Sequence, residues 1–76
     1  MKKFKIRLKS IDDVKAFVHT VNLFPYDVDL ICGRYIVDAK SIMGIFSLDL
    51  TQDLTVGIHA SDGADLCVKL ASFRVE

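Results

Sequence analysis

Apolar and polar residues alternate from Lys3 to Lys9, with Phe4, Ile6 and Leu8 on one side and Lys3, Lys5, Arg7 and Lys9 on the other. A period of two predicts a half-buried strand. At Ser10 the period changes. Ser10-Ile11-Asp12-Asp13 reads as a helix start, in which the Ser10 hydroxyl accepts the Asp13 N–H and two acids sit at the positive end of the helix dipole. Ile11, Val14, Val18 and Val21 follow at helical spacing with Phe17 beside them. The helix should stop near Asn22, because Pro25 disfavours helical backbone at Phe24. Tyr26 to Ile31 alternates again, Cys32-Gly33 predicts a tight turn, and Arg34 to Ala39 returns with Tyr35, Val37 and Ala39 on one side. Ser41 to Leu48 predicts a short helix carrying Ile42, Ile45 and Phe46, and Asp49 to Asp53 a polar connection. Leu54, Val56 and Ile58 alternate with Thr55, Gly57 and His59 in a further strand. Ser61-Asp62-Gly63 opens a last helix with the stripe Leu66, Leu70 and Phe73. The order is β-α-β-β-α-β-α. Strands with one apolar face need a covering layer of helices, so the expected class is α+β, a two-layer sandwich. Periodicity alone fits several folds of this order, ferredoxin-like ones included.

Composition narrows the function. The chain has 76 residues, read as a single domain over 1–76, and 51% of them are hydrophobic, enough for a packed core. Ten basic and ten acidic residues give no net charge, which argues against a nucleic-acid partner. The lysines of Lys2 to Lys9 are spread along a strand and read as a solvated face. No apolar run approaches the ~20 residues of a membrane span, and the N-terminus lacks the apolar region of a signal peptide. Cys32 and Cys67 lack Cys-x-x-Cys spacing and read as reduced thiols, which together places the chain in the cytoplasm. His19 and His59 form no recognisable metal set with them, and no cofactor is implied. No phosphate loop, triad motif or paired-carboxylate site stands out, so an enzyme is not expected.

The candidate chemistry lies at Ser41. The first N–H groups of a helix lack internal acceptors, and the dipole places partial positive charge there. A serine hydroxyl caps them; a phosphoserine would bring roughly −1.5 to −2 charge to the same place. On spacing alone a plain cap explains Ser41 as well. A helix this short cannot bury all its apolar side chains. Ile45 and Leu48 suit the core, which leaves Ile42, Met43 or Phe46 partly exposed as a docking surface.

The stretch Ala39-Lys40-Ser41-Ile42-Met43-Gly44-Ile45-Phe46-Ser47-Leu48 resembles the serine-containing segment of HPr, the small phosphocarrier of the bacterial sugar phosphotransferase system. It is most similar to the catabolite repression HPr type, which lacks the phosphocarrier histidine. The resemblance runs from the first strand to the last helix and is strongest from Tyr26 to Ile58. It implies an open-faced antiparallel sheet in the spatial order first, fourth, second, third. The bare face would then carry Lys3, Lys5 and Arg7, next Thr55, Gly57 and His59, then Asp27 and Asp29. It implies that Ser41 matches the serine modified by HPr kinase, with Lys40 contributing positive charge beside the phosphate. It also implies that Lys40, Ile42, Met43 and Phe46 meet protein partners: enzyme I, sugar-specific permease domains, HPr kinase or a CcpA-like regulator.

One part of the resemblance is broken. HPr carries phosphate on a histidine at the start of its first helix, in a motif of the type His-Thr-Arg-Pro-Ala. Aligning Phe17-Val18 with the family's Phe-Val puts Ser10 at the histidine, and Ile11, Asp12 and Asp13 at threonine, arginine and proline. The catabolite repression type keeps the arginine and proline; this chain does not. Histidine-based phosphoryl relay is therefore not expected. Since the first-helix start and the serine helix lie near one another in the family, the resemblance also implies that Asp12 and Asp13 face Ser41. The expected role is regulatory protein binding through the Ser41 helix, by a monomer or weak homodimer. Two other readings stay open: a phosphocarrier using Ser10 as a non-histidine acceptor, and a structural, oligomerising module.

Overall fold

The computed structural model describes residues 1–75. Strand β1 is Lys2–Ile6, helix α1 Ile11–Asn22, β2 Asp27–Cys32, β3 Tyr35–Asp38, α2 Ile42–Phe46, β4 Leu54–His59 and α3 Ala64–Lys69, followed by a short 3-10 turn at Ala71–Phe73. The strands form one antiparallel sheet in the order β1-β4-β2-β3, with the helices on one face. This is the open-faced α+β sandwich that the sequence implied.

Helix α1 has its expected bounds. Ser10 caps it, accepting the Asp13 N–H at 3.1 Å. Val14, Phe17 and Val21 are buried and Val18 is half-buried. The strands facing the helices contribute Phe4, Ile6, Val28, Leu30, Leu54, Val56 and Ile58, all buried, while Ile45, Leu66 and Leu70 close the core from α2 and the α3 region. No polar side-chain atom is left buried without a partner among the described residues. Tyr26 adds a polar tie from the start of β2 to α3, donating its hydroxyl to Asp65 at 3.1 Å. That hydrogen bond to a carboxylate is the main reason the phenol is held above its ordinary pKa.

Element ends depart from the pattern for identifiable reasons. β1 stops at Ile6 rather than Lys9, because its partner strand begins at Leu54, opposite Ile6. The Arg7 N–H turns instead to the Phe73 carbonyl at 3.0 Å, although Leu8 still reaches the core. β2 sits one residue later than expected and β3 is shorter, since the two-residue turn is Gly33-Arg34 and not Cys32-Gly33. Gly33 has φ of 58°, a left-handed conformation at the first central turn position. Gly33→Ala is accordingly expected to cost about 1–2 kcal/mol through backbone strain, lowering the melting temperature by roughly 4–8 °C per kcal/mol in a thermal scan followed by circular dichroism. α2 is shorter than Ser41–Leu48, with Ser41 as its cap and Ser47 and Leu48 closing tighter turns onto the Gly44 and Ile45 carbonyls.

The bare face departs from the expected charge layout in two respects. Arg7 leaves the sheet to pair with Asp53, its Nε donating at 2.9 Å. His59 reaches Asp29, Nε2 to Oδ2 at 2.6 Å, so the outer face of β4 is tied by a side-chain bond to that of β2.

Candidate functional site

Helix α2 is held by short-range chemistry at its start. Asp38 closes a turn, its side chain accepting the Lys40 N–H at 2.9 Å and its carbonyl the Ser41 N–H at 3.0 Å. Ala39 is then carried into the core. The Ser41 hydroxyl accepts the Gly44 N–H at 3.2 Å. Gly44 faces β3, and a Cβ there would stand 3.3 Å from the Val37 Cβ, so the missing side chain lets the helix lie close on the strand. Ile45 is fully buried and anchors the other side.

With α2 fixed in this way, its remaining apolar residues cannot turn inward. Met43 is 77% exposed and Phe46 44%. They are three residues apart and share one helix face. Ile42 and Leu48 are half-buried against the core. Sequence periodicity placed Ile11 in the buried stripe of α1; the structure leaves it 62% exposed. Ile11 lies at the first position of the helix and joins Ser10, Phe46 and Leu50 around one groove of about 490 Å³. An apolar strip thus runs from Met43 through Phe46 to Ile11, across two helices. The signal for Ile11 was its place outside the tighter Val14, Phe17, Val21 set.

The polar groups do not lie where the resemblance put them. The start of α1 meets the end of α2 at the Ile11–Phe46 groove. The end of α1 meets the start of α2, where the Asn22 amide donates to the Lys40 carbonyl at 3.4 Å. The two helices run antiparallel. Asp12 and Asp13 thus sit by the Phe46 end of α2, with Ser41 at its other end; at ~1.5 Å rise per residue the two acids lie about 14–15 Å along α1 from Asn22. The Asp13 carboxylate accepts the Lys9 N–H at 2.8 Å. The acid near Ser41 is Asp38. Lys40 also departs from expectation: its ammonium is half-buried and donates to the Phe24 carbonyl at 2.9 Å, bracing the exit of α1 rather than standing beside the Ser41 hydroxyl.

Ser10 lies on the same groove as Ile11 and Phe46, with its hydroxyl engaged in capping. His19 is exposed in the last turn of α1, about 13 Å along the helix from the Ser10 end. Cys32 and Cys67 are free, half-buried thiols. Among the described residues, no group of three His, Cys, Asp or Glu could hold a metal ion, and no helix is long and apolar enough to cross a membrane. A groove of about 540 Å³ lies between the β2–β3 hairpin and the segment after α2, lined by Tyr35, Val37, Leu48 and Asp49 among others. Sequence reasoning did not anticipate it. The Asp49 carboxyl is held below its ordinary pKa mainly by the Thr51 hydroxyl, and then by the Thr51 N–H.

Comparison with known proteins agrees with this architecture. The family model described as the PTS HPr component phosphorylation site matches residues 13–73, a span that begins after Ser10. The chain is similar to the crystal structure of HPr-C-His from Thermoanaerobacter tengcongensis, with a TM-score of 0.81 and 26% identity over 95% of this chain and 89% of that one. It is similar to a phosphocarrier protein HPr from Bacillus anthracis, with a TM-score of 0.74 and 28% identity over 97% and 94%. It is also similar to Crh, the Bacillus subtilis catabolite repression containing protein, with a TM-score of 0.68 and 30% identity over 88% and 79%. That structure is described as a dimer with a swapping domain. No curated protein matches the sequence.

Proposed function

We propose that this chain, which belongs to the PTS HPr family, does not relay phosphate through histidine and works by protein recognition at α2, with Ser41 as a phosphorylation switch. The observation that carries the reading is the exposure of Met43 and Phe46 on a helix whose other side is pinned to the core. An exposed apolar strip on a small domain with no net charge serves recognition better than solubility. Partners of the stated chemistry are phosphotransferase-system components, HPr kinase or a CcpA-like regulator, met in the cytoplasm.

Ser10 supports the loss of relay. It offers no nucleophilic ring nitrogen, its hydroxyl caps α1, and Asp12 and Asp13 bring negative charge where a phosphoryl group would sit. Phosphoserine is also a poor onward donor. Incubation with enzyme I and phosphoenolpyruvate is expected to leave Ser10 unlabelled under conditions that label an authentic HPr. Labelling that Ser10→Ala abolishes would establish the opposite.

Ser41 supports the switch. Its residue is exposed, and a phosphoryl group on its hydroxyl would stay within reach of the Gly44 N–H at the start of α2. The Asp38 carboxylate opposes that charge, and Lys40 would have to release the Phe24 carbonyl to help neutralise it. HPr kinase and ATP are expected to add one phosphoryl group, located at Ser41 by mass spectrometry and lost in Ser41→Ala. No gain under conditions that modify an authentic HPr would remove the switch and leave recognition to be tested separately.

A further inference from the structure

The two edges of the sheet are finished differently. Lys2, Lys3 and Lys5 stud β1, and the C-terminal segment covers its outer side, with the Val75 N–H on the Lys5 carbonyl at 3.3 Å and a bridge between Ile6 and Arg74. Charge and cover of this kind keep an edge strand from pairing with another chain. The β3 edge has neither lysine nor proline, and among the described residues no strand pairs with its outer side. Tyr35 and Ile36 on it are 67% and 63% exposed.

Its backbone parity follows from one bond. The Ala39 N–H donates to the Val28 carbonyl at 2.8 Å, and these residues continue the register in which Asp38 faces Asp29. Antiparallel bonding alternates along a strand. Val37 and Tyr35 therefore also turn their amides toward β2, while Ile36 and Asp38 turn theirs outward.

The outward set is self-complementary. When a second copy lies antiparallel on this edge with Ile36 on the two-fold axis, Ile36 opposes Ile36, Tyr35 opposes Val37 and Arg34 opposes Asp38. The two Ile36 residues exchange N–H and carbonyl bonds, and each Asp38 N–H meets an Arg34 carbonyl. On the bare face each copy's Arg34 meets the other's Asp38, on either side of the isoleucine pair. Arg34 makes no ion pair within the chain among the described residues. Asp38 keeps one carboxylate oxygen free, the other holding the Lys40 N–H. Other registers lose the charge pairing: centring on Asp38 opposes two carboxylates, centring on Arg34 two guanidinium groups, and centring on Tyr35 or Val37 sets Ile36 against Arg34 or Asp38, leaving neither ion pair across the seam.

We propose that this chain self-associates by antiparallel pairing of two β3 edges, joining two sheets into one. The contact is short, so association is weak and appears at high concentration. It needs no exchange of a segment between copies, and it stands apart from the Ser41 reading. Sedimentation equilibrium over a wide concentration range tests it. The average mass is expected to rise from 8.5 kDa toward twice that value, with concentration-dependent shifts of the Ile36 and Asp38 amide resonances. Arg34→Asp and Ile36→Lys, both at exposed positions, should each weaken association by roughly tenfold or more. Asp38→Arg should do the same, and an equimolar mixture of Arg34→Asp with Asp38→Arg should associate again, since both opposed pairs are restored. Wild type that stays at 8.5 kDa throughout, or association that Arg34→Asp and Ile36→Lys leave unchanged, would overturn the proposal. These two variants decide the matter even if Asp38→Arg disturbs α2 by losing the Lys40 bond.

Discussion

Met43→Asp is expected to weaken partner binding by about 2–4 kcal/mol, roughly 30- to 700-fold in Kd, while folding stability stays within about 0.5 kcal/mol of wild type. The two halves of the expectation have separate causes. Met43 is 77% exposed, so its loss opens no cavity. It is also the second residue after the Ser41 cap, where a carboxylate sits favourably in the helix dipole. At a docked interface the same carboxylate would be stripped of water against apolar surface, which is costly without a partner charge. Titration calorimetry against enzyme I, HPr kinase and a CcpA-like regulator, beside a thermal melt of each variant, checks both halves. A partner bound by wild type and by Met43→Asp with equal affinity would place recognition elsewhere. Ile11→Asp is to be compared alongside Met43→Asp. A similar loss would mean that the partner spans both helices, as the shared groove with Phe46 suggests.

What the chain discloses depends on the range over which each feature is decided. The α1 cap is decided within four residues, by Ser10 and the Asp13 N–H. The stop after Asn22 is decided by Pro25, and the alternation of Leu54 to His59 by side-chain type, so all three were legible. The division of α2 into a buried Ile45 and an exposed Met43 was legible too, because a short helix has too little inner surface for both. Strand ends were not. Arg7-Leu8-Lys9 keeps the alternation of β1, but a strand also needs a pairing neighbour, and β4 has none to offer beyond Leu54. The strand order came from family resemblance, since period-two patterns do not say which strands meet. Lys40 was misplaced because its acceptor, the Phe24 carbonyl, comes near only when the end of α1 packs by the start of α2. The placing of Asp12 and Asp13 relative to Ser41 is of the same kind: proximity of two helices does not give their relative direction. Alternation gives β3 only as half of a hairpin, because which of its amides point outward is decided by its register against β2.

Phe17→Ala carries the largest expected loss of stability, about 3–5 kcal/mol. Phe17 is fully buried at the centre of the α1 stripe, and its ring meets Phe73 edge-on with centroids 5.9 Å apart. Removing it takes away the transfer free energy of a large side chain and leaves a void that α1 cannot close, because Val14 and Val21 hold the helix on the sheet at either side. A domain of 76 residues has, at about 0.05–0.15 kcal/mol per residue, roughly 4–11 kcal/mol in all. The variant is therefore expected to be marginal at 25 °C, with a much lower urea midpoint and an unchanged slope. Phe73 is only half-buried, so Phe73→Ala should cost less. The double variant should lose less than the sum of the two, by about 0.5–1.5 kcal/mol, because the edge-on contact is already gone in either single variant. Strict additivity would show that the ring pair contributes only through area. A coupling of the expected size would mean that the 3-10 turn at Ala71–Phe73 holds α1 against the sheet. The Ser10 and Ile11 end of the candidate recognition surface would then depend on a residue more than sixty positions later in the chain.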